Sequence, residues 1–209
     1  MKLKKKAKKV FIGIIIVLLL ALLGFVVYKF YSSSNNEVKE AKIVSKIDKY
    51  GYSLKEDKPK AYKDMFKELE EILNKDKVDE EAYVKKISEM FIYDFYSLDD
   101  KDAKTDIGGV DFIYNATLEN FLQNAQNTYY KYVESNIYNN RKQKLPTVDK
   151  IEIKDVSQKA FAYGSETDNK AYFVETEWTY TDENYSGYQN KATLVFIHDG
   201  IKISLVELQ

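Results

Sequence analysis

The sequence predicts an α+β protein: one N-terminal transmembrane helix, then a single domain in which about three helices pack on a curved, mostly antiparallel sheet. Three observations carry this. Residues 10–28 form an uncharged apolar run, apolar side chains recur at helical spacing from residue 59 to 138, and beyond Pro146 the period falls to two.

The run VFIGIIIVLLLALLGFVVY holds 19 residues without a charge. As a helix rising ~1.5 Å per residue it spans ~28 Å, the thickness of a bilayer's hydrocarbon core. A buried core helix normally shows a polar stripe, and this run is apolar all round. A cleaved signal peptide shares the basic-then-apolar order. Its apolar region is usually shorter, ~7–15 residues, and the exit VVYKFYSSS offers no small-x-small cleavage site. An uncleaved anchor fits better. Lys4, Lys5, Lys6, Lys8 and Lys9, together with Lys2, precede the run, whereas only Lys29 follows it before Lys39. Clustered cations resist translocation, so the tail of residues 1–9 is expected in the cytoplasm and the rest outside the cell membrane. Tyr28, Phe30 and Tyr31 supply interfacial aromatic rings. Residues 29–44 read as a short stalk and lead-in, and residues 45–209 as the domain.

The formal charge of −1 hides a polarity. All 33 Asp+Glu follow residue 36 while seven of the 32 Lys+Arg precede residue 30, which leaves −8 for residues 30–209. An acidic domain lacks the clustered cations that a nucleic-acid backbone requires, so no nucleic-acid partner is expected. Cysteine is absent. Disulfides, thiolate metal sites and cysteine nucleophiles are thereby excluded.

Within the domain, Val38, Ala41 and Val44 predict a helical lead-in, followed by a strand-like stretch where Tyr50, Tyr52 and Leu54 alternate. The first amphipathic helix begins at Pro59, a residue suited to the first helical position, and carries Tyr62, Met65, Phe66, Leu69, Ile72 and Leu73 on one face. Asp79 caps the second, which has Glu80 and Glu81 in its first turn and buries Val84, Ile87, Phe91 and Phe95. After a loop over 98–113 the third starts near Asn115 or Thr117 and runs to about Tyr138. Strands are expected at 147–156, 159–164, 171–181, 188–198 and 201–208, with Asp199-Gly200 as the last hairpin turn. Connections this short require antiparallel pairing.

The chemistry-bearing positions are few. His198, the one histidine, sits beside that predicted turn without a second His or Cys, so neither a transition-metal site nor a general base is expected there. Asp100, Asp102 and Asp111 fit positions 1, 3 and 12 of a calcium loop, but Lys104 and Thr105 stand where a ligand and a glycine are needed. A solvated loop is the better reading. Gly108-Gly109 marks a turn or a close backbone approach. Glu175 and Glu177 share one strand face without a predicted cleft and read as solvated charge. The aromatic face of Tyr172, Trp178 and Tyr180 is the candidate pocket or partner face, with ordinary packing beneath the helices as the simpler account. No cofactor is expected.

A basic N-terminus, one membrane helix, a short stalk, then helices followed by an antiparallel sheet resembles the NTF2-like domains of Gram-positive membrane proteins. In layout it is similar to the bitopic NTF2-like subunits of conjugative secretion systems. The segments MFIYDFYSLDD, DIGGVDFIY and NRKQKLPTV also look like those of uncharacterised single-pass proteins of low-GC bacteria. The resemblance implies a signal-anchored, extracytoplasmic scaffold in a cell-envelope assembly, engaged in protein-protein interaction or self-association at the lipid bilayer. Small-ligand or peptide binding in the concave pocket is the alternative. NTF2-like enzymes place polar residues such as His and Asp in the cone of the sheet, and the sequence places no such pair, so no enzymatic activity is expected.

Overall fold

The computed structural model describes Ala21, Gly24 and residues 41–209. Ala21 and Gly24 are helical; the remainder of the predicted membrane span, the lysines Lys4, Lys5, Lys6, Lys8 and Lys9, and the stalk up to residue 40 lie outside the described residues. Among the described residues no helix is long and apolar enough to cross a membrane.

Residues 41–209 form an α+β unit with two antiparallel sheets. Strands β1 (Ile43–Ile47) and β2 (Tyr52–Lys55) make a hairpin. The predicted helical lead-in is therefore wrong at its described end, where Val44 lies in β1. Gly51, at φ +69°, turns the chain back so that Ile47, Tyr50, Tyr52 and Leu54 all bury. That burial outweighs a three-residue helical pattern.

Helix α1 spans Lys60–Leu73, with Pro59 at the capping position just before it rather than inside its first turn. Helix α2 spans Glu80–Tyr96, and Asp79 caps it by accepting from the Ala82 N–H at 3.1 Å. It packs on α1 and on the sheet and buries residues on nearly every side. Helix α3 covers only Leu118–Asn127, eleven residues short of its predicted end. The cause is tertiary. Beyond Thr128 the chain leaves the helical path so that Tyr130 turns inward, donates to the Phe95 carbonyl at 2.7 Å and accepts from the Gly108 N–H at 3.1 Å.

The main sheet has the order β3-β4-β5-β6, antiparallel throughout: Val148–Tyr163, Glu166–Tyr180, Lys191–Asp199 and Lys202–Leu208. β3 is one strand where two were predicted, because register shifts at Ile153/Asp155 and Lys159/Phe161 absorb the break in alternation. Asp199 pairs with Lys202, so the final turn is Gly200-Ile201, one residue later than expected. Gly164 and Gly200, at φ +58° and +62°, each occupy the first turn position, as a type II′ hairpin requires. The predicted alternation in β4 holds: Tyr172, Val174, Thr176 and Trp178 are buried, while Glu175, Glu177 and Thr179 are exposed. α2 lies against β3 and β4 on the inner face.

Candidate functional site

Tyr172, Trp178 and Tyr180 share one face of β4, yet each meets different surroundings. Tyr172 is buried and donates to Glu80 Oε2 at 3.2 Å. Trp178, 2% exposed, lies with its ring centroid 4.3 Å from that of Tyr96 on α2. Only Tyr180 reaches the rim. There it lines a surface cavity of about 340 Å³ with Trp178, Thr179, Asp182, Glu183, Ser186 and Asn190.

Tyr180 is fixed from three directions. Its hydroxyl accepts from Trp178 Nε1 at 3.0 Å, donates to the Gln189 carbonyl at 2.5 Å and lies 3.3 Å from the Tyr129 hydroxyl. The β4–β5 connection, read from sequence as strand from residue 188 onward, is instead an ordered turn. Asp182 Oδ1 accepts from the backbone and side-chain N–H groups of Asn184, the Tyr185 N–H reaches the Asp182 carbonyl at 3.0 Å, and the Tyr188 N–H reaches the Tyr185 carbonyl at 2.9 Å. This folding brings two further rings to Tyr180. Tyr185 lies at 6.3 Å and 68° to it, Tyr188 at 6.4 Å and 72°, and those two at 5.4 Å and 84° to each other. Tyr185 and Tyr188 escaped the sequence reading because period-two reasoning assigned Tyr188 to β5; their Tyr-x-x-Tyr spacing across Ser-Gly was the available signal. Burial raises the Tyr180 phenol, and burial with the Asp182 charge raises that of Tyr185, so both remain neutral.

No family model, curated protein or solved structure matches the chain. Its role is read from its own side chains.

The sequence places no His and Asp pair in the sheet, but the fold brings His198 against Asp168. Asp168 Oδ2 accepts from the His198 backbone N–H at 2.8 Å and faces Nδ1 at 2.7 Å, while Nε2 lies 3.5 Å from Glu80 Oε2. Burial opposes ionisation of Asp168, but the N–H groups of His198 and Lys170 and the imidazole hold its carboxyl below the usual range. Tyr172 is pushed up to about 12 by burial and by the Glu80 charge. The imidazole thus ties β4 and β5 to the first turn of α2, beside a cavity of about 210 Å³ that Lys49, Tyr50 and Lys202 also line. Glu80, Asp168 and His198 stand far apart in the chain, and no local spacing could have announced them.

The acidic loop folds around a buried cation. Lys101, 2% exposed, lies 2.9 Å from Asp94 Oδ1 and 2.7 Å from Asp100 Oδ1. Asp94 also meets Lys58 at 2.6 Å and accepts from the Gly109 N–H at 2.9 Å. Burial favours the neutral acid, yet the Lys101 and Lys58 charges bring its carboxyl down to about 2. Asp102 serves elsewhere, its N–H donating to Asp106 Oδ2, and among the described residues no group of three or more His, Cys, Asp or Glu converges to hold a metal. The paired glycines mark a close approach. A Cβ on Gly108 would stand 2.0 Å from the Asp94 carbonyl oxygen, and one on Gly109 2.5 Å from the Phe91 ring. On the opposite face of the sheet Glu177 pairs with Lys154 at 3.4 Å, and Lys154 with Glu152 at 3.1 Å, an open lattice of solvated charge.

Proposed function

We propose that the chain is a membrane-anchored, non-enzymatic interaction module of the cell envelope. Its NTF2-like domain stands on the outer face, and the tyrosine-lined end of the sheet is its partner face. One observation carries the choice of face: α2 covers the inner side of the sheet where Trp178 is buried, while Tyr185 and Tyr188 gather around the hydrogen-bonded Tyr180 at the open rim, on a turn held by backbone hydrogen bonds, with Tyr188 48% exposed. A fixed, exposed aromatic cluster is the kind of surface that anchors partners at little cost in side-chain entropy. The three helices preceding an antiparallel sheet support the NTF2-like reading. The basic tail and uncharged run of residues 10–28 support the anchor and its orientation.

The test is a photo-crosslinking residue placed at position 188 or, as control, at position 177, in the full chain in intact cells. A discrete adduct from 188 and none from 177 is expected, and silence at 188 overturns the reading of this face. Protease added to intact cells should cleave the domain. Full protection in a cell without an outer membrane reverses the proposed orientation.

Small-ligand binding is a second reading, favoured by the cavity of about 340 Å³ beside Tyr180, within the size range of small-molecule sites.

A further inference from the structure

We propose that the outer edge of β3 is a self-association surface. Two copies of the chain pair antiparallel along Asp155–Lys159, with the two-fold axis at Ser157 and Asp155 of each copy opposite Lys159 of the other. This surface is separate from the tyrosine corner, since Tyr180 pairs with Val148 at the start of β3 and the run lies further along the strand.

The edge is open. β3 stands at the end of the order β3-β4-β5-β6, and among the described residues the backbone of 149–163 makes no backbone-to-backbone hydrogen bond except with β4. The outward N–H and C=O groups of such a strand are a template for another strand, unless bulges, prolines or repelling charges prevent it. The register shifts in the β3–β4 pairing fall between Val148 and Ile151, between Ile153 and Asp155, and between Lys159 and Phe161, so Asp155–Lys159 is itself regular. It contains no proline. Its five residues match the length of an ordinary strand.

The charges select the partner and the register. Asp155, Ser157 and Lys159 pair with Glu175, Phe173 and Ala171, so the three share the outer face of the sheet, where Lys159 Nζ lies 5.1 Å from the Phe173 ring centroid. Glu152, Lys154 and Glu177 neutralise one another nearby, whereas Asp155 and Lys159 are exposed and, among the described residues, make no ion pair. The run reads Asp-Val-Ser-Gln-Lys, an acid and a base separated by three uncharged residues. Antiparallel pairing about Ser157 sets Asp155 against Lys159 twice. Parallel pairing in register would set Asp against Asp and Lys against Lys, and sliding the antiparallel copies by two residues either way removes both ion pairs. Unlike charges facing each other across a strand pair stabilise it, and like charges oppose it. A second copy of this chain therefore fits the edge in one register.

A five-residue ladder buries far less than the ~1,200 Å² of a stable dimer, so the contact depends on mass action between copies held on one membrane. In that respect the inference rests on the membrane-anchored reading.

The sequence has no cysteine, so a single introduced one reports its own contacts. The full chain carrying Ser157→Cys is oxidised in isolated membranes and the disulfide-linked dimer is quantified, with Glu177→Cys as the collision control. Directly opposed residues have Cβ atoms ~4.5–5.5 Å apart, close to the span of a disulfide. The yield at 157 should exceed that at 177 by about fivefold or more. Adding Asp155→Lys should cut the 157 yield by about fivefold, and adding Lys159→Asp to that protein should restore it, because the reversed pair again opposes unlike charges. The register is checked with two co-expressed chains of different size, one carrying Asp155→Cys and the other Lys159→Cys. They should link to each other and not each to itself, since position 155 lies ~14 Å along the strand from its own copy. A 157 yield no higher than that at 177, a yield unchanged by Asp155→Lys, a loss that Lys159→Asp fails to restore, or self-linking at 155 equal to the 155–159 link overturns the proposal. Release of the chain from these membranes by alkaline carbonate overturns the anchored reading and this inference with it; retention without the 157 dimer overturns the edge inference alone.

Discussion

The Lys101 ammonium lies 2.9 Å from the Asp94 carboxylate, with both side chains almost wholly removed from water. Asp94 comes from the last turns of α2, and Lys101 from the loop that follows, so the pair fixes that loop to the helix on which the sheet packs. Removing Asp94 leaves the buried Lys101 with Asp100 as its remaining carboxylate and takes away the carboxylate that Lys58 meets, so the buried positive charge is under-compensated. Asp94→Ala should therefore destabilise the fold by about 3–5 kcal/mol, measured by urea denaturation. A loss under about 1 kcal/mol would show that solvent reaches Lys101.

The same carboxylate sets an acid limit. Its value in the fold is about 2 against an ordinary 3.8, so the folded state favours the ionised form. Stability from this group is complete above the ordinary value and is lost as pH falls from about 4 towards about 2, amounting to about 2 kcal/mol. The urea midpoint should decline across that window in the native chain. In a folded Asp94→Asn protein the decline should be shallower, and equal slopes would assign the effect to other carboxylates.

Gly108 and Gly200 should respond differently to alanine. At Gly108 a Cβ would collide with the Asp94 backbone, which cannot rotate away, whereas at Gly200 there is open space and only the φ of +62° is unfavourable. Gly108→Ala is expected to cost about 3 kcal/mol and Gly200→Ala about 1 kcal/mol in thermal or urea unfolding. Equal costs would mean that the loop carrying Gly108 can move off α2.

The legible parts of this fold were those where a single element decides its own pattern. The apolar face of α1, the Asp79 cap and the alternation in β4 follow from local periodicity and capping, and they appear where the sequence put them. The illegible parts were decided across the chain. The hydrogen bonds of Tyr130 to Phe95 and Gly108 end α3 early, and the closure of the hairpin at Gly51 makes a strand of a segment with helical spacing. Of the candidate site, Trp178 and Tyr180 were readable as neighbours on one strand face. The convergence of Tyr185 and Tyr188 on Tyr180 depends on the turn conformation, which residue spacing does not encode.

His198 should be coupled more strongly to Asp168 than to Glu80. Asp168 grips both the ring and the backbone of His198 and is mostly shielded, at 11% side-chain exposure, whereas Glu80 stands 3.5 Å away at 54%. Solvent screens the second pair. A double-mutant cycle with His198→Gln should give a coupling of about 1 kcal/mol with Asp168→Asn and only a few tenths with Glu80→Gln. The reverse order would relocate the clamp to α2.

Two buried tyrosines offer a test of opposite sign. Tyr130 is fully bonded through its hydroxyl, to the Phe95 carbonyl and the Gly108 N–H, so Tyr130→Phe strands both backbone groups in a place that water does not reach. Tyr96 is equally buried, but among the described residues its hydroxyl finds no hydrogen-bond partner, and its ring instead meets Trp178 and Tyr129. A buried hydroxyl without a partner opposes folding because it forfeits its bonds to water, while the ring contacts survive its removal. Tyr96→Phe should therefore raise the unfolding free energy by about 1 kcal/mol, and Tyr130→Phe should lower it by about 1–3 kcal/mol. Both are measured by urea denaturation of the same full chain, with Trp178 fluorescence as the signal. Destabilisation by Tyr96→Phe would mean that its hydroxyl does find a partner, and the packing of α2 under the aromatic end of the sheet would then need a polar contact there.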